Sequence, residues 1–130
     1  MHTSGRAPVI RVGTDLIEIE RIRRALARRE RFRDRCFTPA EQAYCDSRAN
    51  PAESYAGRFA GKEAVGKALG FGVARAFAWK EIEIVGRPKP SVKLSGRLAA
   101  LAERAGVEGI DLSMTHSREL AQAVAVATHA

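Results

Sequence analysis

The chain has 130 residues, 45% of them hydrophobic and 28% charged, with a formal net charge of +7. Such a chain makes one globular domain with a core of its own, neither a disordered segment nor a pair of domains. It contains no run of about 18 apolar residues that would read as a membrane span, and its excess of 22 Lys+Arg over 15 Asp+Glu calls for an acidic partner: nucleic acid, a phosphate-bearing small molecule or an acidic protein.

Residues 1–8 lack the apolar stretch of a secretory signal and read as a flexible tail ahead of a domain over 9–130. "VIRVGTD" is a short β-type run ending in Gly13-Thr14-Asp15. Residues 18 to about 30 have helical period, with Ile19, Ile22 and Leu26 on one side and Arg21, Arg24, Arg28 and Arg31 on the other. Cys36 and Cys45 match no disulfide framework or zinc spacing and read as reduced thiols of a cytoplasmic protein.

"TPAEQAYCDS" carries a helix start: Thr38 at the N-cap, Pro39 at the first helical position and Glu41 three residues after the cap. Asn50 and Pro51 open a second helix in the same way, and Gly70 or Gly72 suits its C-cap. "KEIEIVGRPKPSVKLSG" alternates, turns and alternates again, a hairpin; "GRLAALAERAG" is a short helix closed by Gly106. Residues 109–128 form two alternating runs around Ser117-Arg118-Glu119, a second hairpin. Partial alternation of strands and helices with hairpins dominant predicts an α+β fold, one small domain with a mostly antiparallel sheet packed on a long central helix.

The central helix holds unusual residues. At about 100° per residue, Gly57, Gly61, Ala64 and Ala68 share a stripe that would let another backbone approach. Glu63 and Lys67, four apart, share another arc; a solvated ion pair is the plain reading. "GRFAGKE" is no phosphate-binding P-loop, because three residues rather than four separate its glycines and Glu63 follows the lysine. Asp15, leaving the first strand, either caps the next helix or points into a cleft, where it and Glu63 could share a Mg²⁺ ion with Lys67 beside it for a phosphate oxygen. In "LSMTHS", alternation puts Ile110, Leu112, Met114 and His116 on one face.

Taken together, "VGTDLIEIERI", "FAGKEAVGKALG" and "SMTHS" resemble the motifs of the holo-acyl-carrier-protein synthase family, the bacterial 4'-phosphopantetheinyl transferases, over about residues 9–128. Met114-Thr115 stands where the family commonly has Ile-Ser. The resemblance implies a cytoplasmic transferase of lipid metabolism. Such an enzyme moves 4'-phosphopantetheine from coenzyme A to a serine of an acyl carrier protein, for fatty-acid or polyketide synthesis, and releases adenosine 3',5'-bisphosphate. It implies Mg²⁺ held by Asp15 and Glu63, a catalytic set of Glu63, Lys67 and His116, and contacts from Arg58, Lys62, Lys67 and His116 to coenzyme A. Glu63 is the candidate base, and His116 either binds a coenzyme A phosphate or shuttles a proton. The resemblance further implies a homotrimer with sites between subunits and an acidic carrier docking on Arg21, Arg24 and Arg28, with neither nucleic acid nor membrane as partner. The rival reading is a basic nucleic-acid-binding module using that arginine stripe. It leaves Asp15 and Glu63 without a role, and aromatic residues near the stripe are few, Phe32 and Phe37.

Overall fold

A computed structural model describes residues 9–71, 79–86 and 89–130; the tail 1–8 and Gly72 lie outside them. Strand β1 (Val9–Glu18) runs straight into helix α1 (Ile19–Arg28), followed by α2 (Phe32–Cys36) and α3 (Pro39–Asp46). The long helix α4 (Pro51–Leu69) comes next, then β2 (Ile82–Val85), β3 (Ser91–Leu94), α5 (Gly96–Arg104), β4 (Val107–His116) and β5 (Leu120–His129). Among the described residues the strands form two antiparallel sheets, β1-β5-β4 and β2-β3. Both expected hairpins are present, and the architecture is the expected α+β.

Local chemistry explains most boundaries. Thr38 and Glu41 close a capping box in which Thr38 Oγ1 accepts from the Glu41 amide and Glu41 Oε1 accepts from the Thr38 amide. Asn50 accepts from the Glu53 amide at the start of α4, Pro51 follows, and Gly70 ends the helix with φ of 82°. Two boundaries differ from expectation. β1 continues three residues past Asp15, so Asp15 is a strand residue and not a helix cap. α1 stops at Arg28, which leaves Arg31 outside it as the N-cap of α2, a short helix the periodicity did not announce.

The core lies between α4 and the three-stranded sheet. Ala121, Ala123, Ala125 and Ala127 of the central strand β5 are buried on the face toward α4, where Ala60, Ala64 and Ala68 are also buried. The closest approach is at Gly13 of β1: a β-carbon there would lie 2.0 Å from the Ala64 carbonyl oxygen and 2.6 Å from the Ala68 amide nitrogen. The small-residue stripe on α4 therefore does receive a backbone, but only at Ala64 and Ala68. Gly61 faces side chains, with Ile84 Cδ1 2.6 Å and Met114 Sδ 3.2 Å from an added β-carbon, and Gly57 faces open space. The opposite face of the sheet exposes Ile10, Val12, Leu16 and Val124.

Candidate functional site

β1 and α4 bring Asp15, Glu63 and Lys67 together. Lys67 Nζ donates to the Thr14 carbonyl oxygen at 2.9 Å and to Asp15 Oδ1 at 3.4 Å. The ammonium thus bridges to the strand, and the expected surface pair with Glu63 is not what positions it. Burial pushes the Asp15 carboxyl above its ordinary value, against the pull of Lys67 and Arg21. Burial pushes Glu63 up as well, and the neighbouring negative charge of Asp15 adds to it. Two half-buried carboxylates that disfavour each other's charge form an oxygen donor set that a divalent cation would relieve. Among the described residues no group of three or more His, Cys, Asp or Glu could hold a metal ion. Two protein carboxylates plus oxygens from a substrate is the ligand pattern that suits Mg²⁺, so Asp15 and Glu63 fit that ion.

His116 and Arg58 are elsewhere. They line a cleft of about 420 Å³ together with Tyr44, Arg48, Glu53 and Gly57. Arg58 is buried with its guanidinium 4.2 Å from the centre of the Tyr44 ring, and its Nε has no hydrogen-bond partner among the described residues. Arg48 also lies over Tyr44, at 5.5 Å. The open space at Gly57 is part of this cleft. His116 sits at the end of β4, its Nε2 3.3 Å from Glu53 Oε1. Glu53 lies ten residues before Glu63 on α4, about 15 Å along the axis, and the cleft extends toward Glu63 through Gly57 and Arg58, about 8–9 Å from it along the axis. The sequence-expected residues therefore fall into two clusters within one protomer.

Lys62 corrects an expectation. Its side chain is completely buried: Nζ pairs with Glu41 Oε1 at 2.7 Å and donates to the carbonyl oxygens of Trp79 and Ile82. All three ammonium hydrogens have acceptors, so none is left for a ligand phosphate. Burial lowers the Lys62 pKa while Glu41 opposes that shift. The other Glu41 oxygen accepts from the Ile84 amide at 2.9 Å. Lys62 and Glu41 thus tie α3, α4 and β2 together, an arrangement of buried, paired charge.

Arg21, Arg24 and Arg28 are exposed and line a groove with Ile17, Ile22, Phe32 and Phe59. Arg21 is also close enough to lower the pKa of both Asp15 and Glu63, which puts it at the edge of the acidic cluster. Tyr44, Arg48 and Glu53 were not singled out from the sequence. Glu53 reads there as an ordinary first-turn acid, and Arg48 as one loop cation among many; only their convergence on the cleft distinguishes them.

The family model of the 4'-phosphopantetheinyl transferase superfamily matches residues 11–126. The chain is 52% identical to the holo-acyl-carrier-protein synthase of Chlamydia muridarum over 89% of its length and 92% of that protein. Its fold matches the crystal structure of the Neisseria meningitidis holo-acyl-carrier-protein synthase with a TM-score of 0.80 at 31% identity, covering 90% of this chain and 96% of that one. The Helicobacter pylori synthase, solved in complex with coenzyme A, matches with a TM-score of 0.74 at 29% identity, over 89% of this chain and 98% of that one. Within the superfamily, the chain belongs to the holo-acyl-carrier-protein synthase family of enzymes.

Proposed function

We propose that the chain transfers 4'-phosphopantetheine from coenzyme A to a serine of an acidic apo-acyl carrier protein, releasing adenosine 3',5'-bisphosphate. The observation that carries the reading is the meeting of Asp15, Glu63 and Lys67 at the β1–α4 contact in a member of this family. Asp15 and Glu63 hold Mg²⁺, which when bound supplies positive charge against the diphosphate of the donor. Lys67 keeps its ammonium beside the phosphoryl oxygens as the attacking serine oxygen bonds to phosphorus and the bond to the bisphosphate leaving group breaks. Glu63 is the base that takes the serine proton. Arg58 and His116 bind coenzyme A phosphates from the cleft, with Arg58 Nε as a donor awaiting an acceptor.

The two clusters can complete one site in a homotrimer in which one subunit supplies Asp15, Glu63 and Lys67 while its neighbour supplies Arg58 and His116. The exposed Ile10, Val12, Leu16 and Val124 offer the apolar face for such contact. The arginine groove of α1 receives the acidic carrier, and fatty-acid or polyketide carriers are its natural class of partner in the cytoplasm. The test is mass spectrometry of apo-carrier proteins incubated with coenzyme A, Mg²⁺ and the enzyme. A mass gain of one phosphopantetheine on the carrier serine is expected. Coenzyme A cleaved without transfer, or no reaction with any carrier, overturns the reading.

A further inference from the structure

The arginine groove beside α1 has a second lobe, for which the transfer reaction gives no use. Arg21, Arg24 and Arg28 line the first lobe; the second, of about 320 Å³, lies across Phe32 and Phe59, which together with Arg29 line both. Trp79 lines the second lobe with its ring stacked on Phe59, centroids 4.6 Å apart, and Phe59 stands 5.9 Å from Phe32. Around these three rings stand the exposed side chains of Arg29, Arg31 and Arg35. Among the described residues none of the three guanidiniums has an ion-pair or hydrogen-bond partner, and no Asp or Glu lines the lobe. Burial raises the thiol of Cys36, which also lines the lobe, to about 11, while Lys62, Arg35 and Arg29 pull it back, so two of these guanidiniums converge on one point.

Three aromatic rings offer an apolar body something to bury against. Three unpaired guanidiniums at their rim offer an anionic head charge-assisted hydrogen bonds in a planar fork. A neutral apolar ligand would leave the arginines unused, and a small hydrated anion would leave the rings unused. From this we infer that the second lobe binds an amphipathic anion, an aliphatic carboxylate of the fatty-acid class, with its chain on Phe32, Phe59 and Trp79 and its head among Arg29, Arg31 and Arg35. Because Arg29, Phe32 and Phe59 belong to both lobes, this ligand and a docked carrier exclude each other. The exclusion rests on the carrier-docking reading above; the binding site does not.

Trp79 is the only tryptophan of the chain, so its fluorescence reports on the lobe directly. The test titrates the full-length protein with decanoate, decanol and decylammonium, three probes with one chain and different heads, and repeats the decanoate titration on Arg35→Glu and Arg31→Glu. Decanoate is expected to change Trp79 emission saturably, with a Kd at least about tenfold below that of decanol, and decylammonium should bind more weakly still. Either charge reversal should weaken decanoate about tenfold or more and leave the coenzyme A Kd unchanged; two variants keep the test sound if one fails to fold. Saturating decanoate should raise the carrier KM severalfold and spare the coenzyme A KM. A response that does not saturate, decanol or decylammonium bound as tightly as decanoate, or full affinity in both folded variants overturns the site. An unmoved carrier KM at saturating decanoate overturns the exclusion. Saturable, arginine-dependent binding by a protein that modifies no carrier rejects the transfer reading and leaves the site standing.

Discussion

Replacing Gly13 by Ala adds a single methyl group to β1, and the structure leaves it nowhere to go. The new β-carbon would sit 2.0 Å from the Ala64 carbonyl oxygen, 2.6 Å from the Ala68 amide nitrogen and 2.9 Å from Lys67 Cβ, where ordinary contact begins at 3.4 Å. The first two are backbone atoms of a 19-residue helix, in its last two turns, and cannot rotate aside as a side chain can. β1 would have to retreat by more than 1 Å, but it is paired with β5 from Val9↔His129 to Glu18↔Leu120. Overpacking that side chains can absorb costs about 1–3 kcal/mol; with backbone on both sides the expected loss is about 3 kcal/mol or more, a fall in Tm of roughly 10 °C. Urea unfolding at fixed protomer concentration measures it, with Gly57→Ala as the matched control. At Gly57 nothing among the described residues lies within 4 Å of the added carbon, so that change should stabilise α4 by about 0.5–1 kcal/mol. A Gly13→Ala protein within about 1 kcal/mol of wild type refutes the account of the β1–α4 contact.

The remaining predictions concern charge and assembly. Asp15→Asn and Glu63→Gln should each fold yet lose transfer roughly 100-fold or more; wild-type rates at limiting Mg²⁺ would rule out a shared ion. Because the folded Glu63 pKa is raised above its ordinary 4.5, its ionised form opposes folding at neutral pH, and protonation relieves this as pH falls toward and below the raised value. In chelator, Glu63→Gln should therefore be more stable than wild type at neutral pH, with the gap closing on acidification; a constant gap would contradict the shift. Lys62→Met should cost roughly 3–5 kcal/mol by leaving Glu41 buried and unpaired, seen as lost stability without a selective rise in coenzyme A KM. Arg24→Glu and Arg28→Glu should raise the carrier KM at low salt and spare coenzyme A binding, and unchanged carrier kinetics would make the stripe a solvated face only. Sedimentation should show three protomers at assay concentrations, and an active monomer would refute the trimer.

Features with local causes were legible in the sequence. The capping box at Thr38, the Asn50-Pro51 start, the Gly70 and Gly106 stops and the alternation of β4 and β5 each rest on a few neighbouring residues, and each stands in the structure. Asp15 and Glu63 were found as chemically odd residues and given a purpose by resemblance; the structure adds that they share an electrostatic environment. What could not be read depends on partners distant in sequence. Helical spacing gives Lys62 a face but not its occupant, and Glu41, whose capping role was plain, has a second oxygen and a second task 21 positions away. The same limit applies to the glycines: Gly57 and Gly61 share a stripe, yet one meets solvent-filled space and the other the side chains of Ile84 and Met114.

The seam between α4 and the sheet has a consequence for how the protein can change. Its facing residues include Ala64 and Ala68 on the helix, with Gly13 of β1 and Ala121, Ala123, Ala125 and Ala127 of the central strand on the sheet. In an ordinary core, an enlarged side chain can be rescued by trimming a neighbour. Around Gly13 the contacting atoms are helix backbone and the β-carbon of Lys67, so trimming a neighbour opens almost no room. Second-site suppressors of a seam mutation should therefore not arise within the seam; a selection for them should return only true revertants or changes that raise stability elsewhere in the fold.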